Sequence, residues 1–356
     1  MPPKKRPLLH TATVLTLLAG SAYLTVELRK DEQDKAPRAQ AVTDTPLSGS
    51  AAGEQRGQTW ERLKNPDRTV LRGAGGQVLA TFTDRSRTAT LKGPSRTFSE
   101  SENTATTVVT EDWVRLMPEA WRAGAEKERW FKEWFRRYHD SREDDLFAIA
   151  FQYITGAPAK KDERGVVYAG DAKFGPVNPD LAKHRGTPLL EQSDFFDYLG
   201  IPYTFRDGTA RSPEAARYRA VDCSGYMRLI FGYRARYPLA PADGKGNGLP
   251  RTANGMGRSQ LGAEIIPLSG PAPWYERPQN IDVLQPGDLV FFKMDHHTGN
   301  RLDHVGLYLG PDTEGHKVFL SSRKEVNGPT IGDKGGVSRL DGNGFYAKLL
   351  RNAKRL

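Results

Sequence analysis

Cys223 is the one cysteine of this 356-residue chain, and it stands in Asp222-Cys223-Ser224-Gly225 directly ahead of Tyr226, Leu229, Ile230 and Tyr233, apolar residues spaced for one face of a helix. A sulfur at a helix N-terminus meets the positive end of the macrodipole and unfilled backbone N–H groups. These favour the thiolate and offer donors to a developing oxyanion. Asp222 fits the N-cap of the same helix. The chemistry suited to this placement is nucleophilic attack on an acyl carbon, and it needs a base.

Leu302 to Gly310 supplies a candidate. The alternation reads as a strand with Val305, Leu307 and Leu309 on one side and His304, Gly306 and Tyr308 on the other, so His304 is expected to face a cleft with the apolar set packed behind it. Upstream, Gln285-Pro286-Gly287-Asp288 reads as a turn into a strand over Leu289 to Phe292. Cysteine on a helix and histidine on a sheet is the papain-like division of labour, in which imidazole takes the thiol proton and later gives it to the leaving amine.

Four blocks in order, Gly200-Ile201-Pro202-Tyr203-Thr204-Phe205, Asp222 to Gly225, Pro286 to Phe292 and His304 to Tyr308, with Leu249-Pro250-Arg251-Thr252 between the second and third, resemble the NlpC family of cell-wall cysteine peptidases over about residues 188–356. The resemblance implies an α+β fold, a papain-like domain with an antiparallel sheet and an N-terminal catalytic helix. It implies Cys223 as nucleophile, His304 as base, Tyr203 lining the substrate site and helping to hold the oxyanion, and Asp222 and Ser224 contacting the peptide stem. The activity implied is hydrolysis of γ-D-glutamyl bonds to a diamino acid in peptidoglycan stems. The chain departs from the family at the residue that orients the histidine, commonly His, Asn, Gln or Glu. Within Lys317 to Arg323, Ser321 falls on the face opposite Val318 and Leu320 and is the expected third residue, with His316 as rival. The long stretch from Arg206 to Arg219 replaces a short link in relatives and is expected at the rim of the cleft.

Other signals carry less chemistry. Asp295, His296, His297, Asp303 and His304 cluster in sequence but read as a hairpin between strands, so neither a metal nor another cofactor is expected. Gly73 to Gly76 lies between short apolar runs with no following helix and reads as a hairpin turn. Trp130, Phe131, Trp134, Phe135 and Tyr138 recur at helical spacing and read as a packing stripe.

Lys4, Lys5 and Arg6 precede an uncharged segment, giving residues 1–29 the layout of an export signal or an uncleaved membrane anchor. Residues 30–58 read as a flexible tether. Residues 59–158 read as a separate small α+β module, with strands at Thr69–Leu71, Val78–Phe82 and Thr88–Leu91 and helices around Glu126–Tyr138 and Asp144–Ile154. Residues 159–187 read as a connection and 188–356 as the peptidase domain. The net charge of +9, from 52 Lys and Arg against 43 Asp and Glu, suits anionic cell-wall polymers; the export layout and the absence of a binding motif argue against nucleic acid. The reading is an exported peptidoglycan hydrolase working through a Cys-His acyl-enzyme. An amidase or acyltransferase on the same scaffold, and an inactive wall-binding protein, are the alternatives.

Overall fold

The computed structural model describes residues 57–100, 102–176, 193–244, 246–332 and 338–356. The expected signal or anchor, nearly all of the expected tether, and residues 177–192 of the connection and domain start lie outside the described residues. In chain order the elements are β1 (Thr59–Leu63), β2 (Arg68–Arg72), β3 (Val78–Thr83), β4 (Thr88–Ser99), β5 (Thr107–Leu116), α1 (Arg129–Tyr138), α2 (Leu146–Phe151), β6 (Lys160–Lys161), β7 (Val167–Ala169), α3 (Phe195–Leu199), β8 (Tyr203–Thr204), β9 (Ala210–Arg211), α4 (Cys223–Met227), α5 (Ala253–Arg258), β10 (Ala263–Ile266), β11 (Leu289–Phe292), β12 (His304–Pro311), β13 (Lys317–Arg323), β14 (Gly328–Thr330), α6 (Phe345–Leu349) and β15 (Leu350–Arg355).

β1 to β5 form a five-stranded antiparallel meander in sequence order. Pairing of Ala80 with Leu91 and of Leu91 with Trp113 stacks apolar residues on one face. The buried side chains of α1, Phe131 and Trp134, close that face together with Trp121, whose ring lies 4.5 Å from that of Phe82. The aromatic stripe of α1 is therefore packing, as its spacing predicts. Gly73 to Gly76 forms the β2–β3 turn, with Gly76 at φ 79.

The second sheet has six antiparallel strands in the order β10-β15-β11-β12-β13-β14. Val305, Leu307, Leu309 and Leu320 face one core, shared with Tyr226, Leu229 and Ile230. Sequence alternation predicted an open cleft on the opposite side, but Tyr308, Phe319 and Phe292 are buried there with Tyr346 of α6 and Leu350 of β15. Strands covered on both faces read as continuous apolar runs, which is why all four residues of β11 are buried.

Residues 59–158 do not stand apart as a module. Phe98, Val108, Val114, Phe147, Ile149 and Tyr153 belong to the same core as Tyr226 and Leu307. The Tyr226 hydroxyl donates to Ala150 O at 2.7 Å, and Arg234 Nη1 donates to Tyr153 Oη at 2.8 Å. Glu100 Oε2 accepts from Thr330 Oγ1 at 2.7 Å and from Ile331 N at 2.9 Å, joining the end of β4 to β14. Arg355 grips Asp288 with Nε and Nη2 at 2.6 and 2.8 Å while Nη1 donates to Thr83 Oγ1 at 2.5 Å, so one guanidinium ties β15, the turn before β11 and β3 together.

Burial pushes the Asp288 carboxyl up and Arg355 opposes it. Removing one member strands the other as an unpaired buried charge. Asp288→Ala is expected to cost about 3–5 kcal/mol in urea unfolding, and the paired replacement Asp288→Leu with Arg355→Met much less; equal costs for the two would show that the pair does not hold these elements.

Candidate active site

The helix that carries Cys223 begins with a well-formed cap. Asp222 Oδ1 accepts from Gly225 N at 2.7 Å, and Ser224 Oγ donates to the same oxygen at 3.0 Å. A side chain at position 225 would collide with the Ser193 carbonyl, which accepts from Asp222 N at 2.9 Å, so the glycine permits the close approach that seats the cap. Past Met227 the helix widens into a π-helical stretch, Arg228–Arg234, with Ala235 N bonded to Ile230 O. The spacing predicted one apolar face, yet Cys223 through Gly232 are buried all round, because this helix runs through the middle of the core rather than over its surface.

Four charges hold its N-terminal end. Arg228 Nε lies 3.0 and 3.1 Å from the two oxygens of Asp194, and its Nη1 donates to Ala240 O and Leu249 O. Arg251 Nε lies 3.4 Å from Asp194, while its Nη2 donates to Asp222 Oδ2 at 2.6 Å and its Nη1 to Ser224 Oγ at 2.8 Å. The order Arg228, Asp194, Arg251, Asp222 alternates in sign and sums to zero. Burial works against the Arg251 charge, but Asp222 and then Asp194 outweigh it and hold the guanidinium above its ordinary value; Cys223 adds to the same effect. Asp222 and Ser224 are buried and their hydrogen-bonding capacity is largely spent on Arg251, whose side chain is 20 % exposed. Arg251 is thus the member of this trio that reaches solvent. It lies in the Leu-Pro-Arg-Thr block, and only its position beside the Asp222 carboxylate reveals what it does.

α4 packs against β12 and β13, the strands that carry His304 and Ser321. Ser322 Oγ donates to Val221 O at 2.6 Å, which ties the chain two residues ahead of Cys223 to β13. On the other face of β13, Ser321 Oγ lies 3.0 Å from His304 Nε2, and both side chains are buried. The His304 ring lies 5.7 Å from that of Phe292 and 5.8 Å from that of Tyr346. A Cβ at Gly306 would strike the Phe319 ring, so that glycine lets the aromatic layer close beside His304. Burial, with a smaller contribution from the charge of Arg323, lowers the imidazole from its ordinary 6.5 to about 3.

The remaining candidates are placed differently. Tyr203 is half-buried, its ring edge-on to Phe195 at 4.7 Å and to Phe205 at 4.9 Å. It begins the small β8–β9 hairpin, which occupies part of the long stretch that follows it. His316, the rival third residue, bonds Asp341 Oδ2 through Nδ1 at 2.8 Å in the turn after β12. Asp303 accepts from Met294 N and Asp295 N and pairs with Lys293, which separates it from the neighbouring histidines. Asp295, His296 and His297 bring ligand-type atoms within 4.8 Å of one another on the surface between β11 and β12.

Residues 200–353 match the NlpC/P60 family. Among solved structures, the chain is similar to an NlpC/P60 family protein from Bacillus cereus, at 14 % identity, with 84 % of this chain and 78 % of that one covered and a TM-score of 0.25. No curated protein matches the chain.

With the folded-state value of His304 below that of the unfolded chain, the unfolded state binds the extra proton first. The contribution of His304 to stability is therefore full above about pH 6.5 and is lost as pH falls toward about 3. Urea midpoints measured across that window should fall more steeply for wild type than for His304→Gln; parallel curves would mean that the imidazole ionises as freely in the fold as outside it.

Proposed function

We propose that this chain, whose residues 200–353 belong to the NlpC/P60 family of cell-wall peptidases, hydrolyses a stem-peptide amide of peptidoglycan, with the γ-D-glutamyl bond to the diamino acid as the target. The observation that carries the reading is the packing of the capped Cys223 helix on the strands of His304 and Ser321, with Ser321 on the His304 nitrogen and Arg251 on the residues flanking the sulfur.

In this mechanism His304 removes the Cys223 proton as sulfur attacks the amide carbon, and the oxyanion forms beside the helix N-terminus. The resulting imidazolium protonates the leaving amine, which departs and leaves a thioester. Water, deprotonated by His304, then releases the carboxylate and restores the thiol. Arg251 holds Asp222 and Ser224, and through them the first turn of the helix, so that the sulfur is aimed before substrate arrives. Its exposed edge offers a cation to the carboxylate of a γ-linked glutamyl residue, which an α-linked peptide does not present at that point. Tyr203 lines the same site. The basic Lys4, Lys5 and Arg6 ahead of the uncharged Pro7 to Val26 support export, and the net charge of +9 supports association with anionic wall polymers; among the described residues no helix is long and apolar enough to cross a membrane.

Mass spectrometry of purified stem-peptide fragments, incubated with wild type and with Cys223→Ala, tests the reading. Cleavage between glutamate and the diamino acid should vanish in Cys223→Ala and fall by about 10²–10⁴-fold in His304→Ala. A competing amine should leave the product a free acid. Capture of the amine would assign a transferase, and intact fragments with wild type would overturn the peptidase reading.

A further inference from the structure

A cavity of about 330 Å³ opens where the turn after β3 meets β10, β15 and the end of α5, and none of the residues assigned to the candidate site lines it. Three cations do, Arg85, Arg258 and Lys354, against one carboxylate, Glu264. Lys354 and Glu264 are register partners across β15 and β10, a placement that invites a cross-strand ion pair. The Lys354 ammonium turns instead to Ser259 O, just past α5, and the residue is 4 % exposed. Capping a helix end is an ordinary use for a lysine, but here it spends one of three N–H donors. Burial draws the ammonium down from its ordinary value; Glu264 works against that, and the charge of Arg85 adds to it.

The other two cations are fixed from outside this strand pair. Arg258 donates from Nε to Asn254 Oδ1 at 2.9 Å, and from Nη2 to Asn300 O at 2.8 Å and to Tyr275 Oη, which leaves Nη1 uncommitted among the described residues. Arg85 holds a left-handed φ of 67, more usual for glycine, with its backbone N–H on Trp121 O. The neighbouring Asp84 is taken by Arg62, at 2.7 and 2.8 Å, so it does not answer the Arg85 charge. Among the described residues none of the three cations forms an ion pair.

We propose that this cavity is a binding site for a phosphate group. Three cations against one carboxylate leave two net positive charges, which match a phosphate dianion. Donors arriving from a turn, a helix end and a strand suit oxygens that point in several directions better than the two of a flat carboxylate. The phosphate would supply the buried ammonium with the counter-charge that Glu264 gives only in part. Arg85, Arg258 and Glu264 are exposed, so the mouth admits a phosphate carried on a longer chain as well as a free one. A phosphodiester of an anionic wall polymer and free phosphate share this chemistry. The site stands whether or not the chain cleaves peptidoglycan.

Isothermal titration calorimetry of the full chain at low ionic strength provides the test, with inorganic phosphate, poly(glycerol phosphate) and polyglutamate as probes. Wild type should bind a phosphate probe at one saturable site. Arg85→Gln and Lys354→Met should each weaken that binding about tenfold or more, and Glu264→Gln should strengthen it. Tighter binding of poly(glycerol phosphate) than of inorganic phosphate, lost in the same variants, assigns the group to a polymer; equal or tighter binding of inorganic phosphate assigns a free anion. No saturable binding of either phosphate probe by wild type would overturn the proposal. So would an Arg85→Gln protein that binds as wild type does, or polyglutamate held as tightly as poly(glycerol phosphate) by the same residues. Arg85 is exposed, so Arg85→Gln decides even where Lys354→Met fails to fold.

Discussion

The candidate site hangs on a row of four charges, Arg228, Asp194, Arg251 and Asp222, of which only Arg251 reaches solvent. Each would be costly alone in the core, and each is tolerated because its neighbours are of opposite sign, with Arg228 Nη1 also bonded to Ala240 O and Leu249 O and Arg251 Nη1 to Ser224 Oγ. Asp194 also caps α3, and Asp222 caps α4, so the same four residues set the directions of both helices. The position of the sulfur is a by-product of that electrostatic balance.

The sheet follows a different logic. Neither face of the six-stranded sheet is free: residues of β4, β5 and α2 join the core of α4 and β12 on one side, and the aromatic layer of Phe292, Phe319 and Tyr346 covers β12 on the other. Burial of that depth leaves His304 in a medium that resists charge. The first 100 or so described residues contribute to the same end. They supply the Glu100 tie to β14, the Thr83 contact to Arg355 and the helix α2 that backs Tyr226. Phe98, Val108, Val114 and Phe147 thus complete the core against which Tyr226 and Leu307 pack.

Two arginines near the site make different contacts. Arg251 pairs with the Asp222 carboxylate at the start of the Cys223 helix, whereas Arg323 donates to Ser321, whose hydroxyl lies against His304.

Much of the local structure was legible in the residues. Asp222 caps its helix as its type predicts, alternation along residues 302–310 and 317–323 places Ser321 on the His304 side, and the α1 stripe packs inward. These follow from periodicity and from contacts within a few positions, which the order of residues encodes directly. β1 and β5 were not legible, since Thr, Glu and Asp interrupt their apolar runs, and their pairing partners decide their state. The partners of Arg251, 29 residues from Asp222, of Arg228, 34 residues from Asp194, and of Glu100, 230 residues from Thr330, were settled only by tertiary packing. A charged residue in a sequence announces that it needs a counterpart, but which counterpart reaches it through a low-dielectric interior depends on how the whole chain closes around it. The sequence by itself thus determined the identities and local poses of Cys223 and His304; the tertiary structure alone decided their electrostatic surroundings, because those are built from groups that only folding brings together.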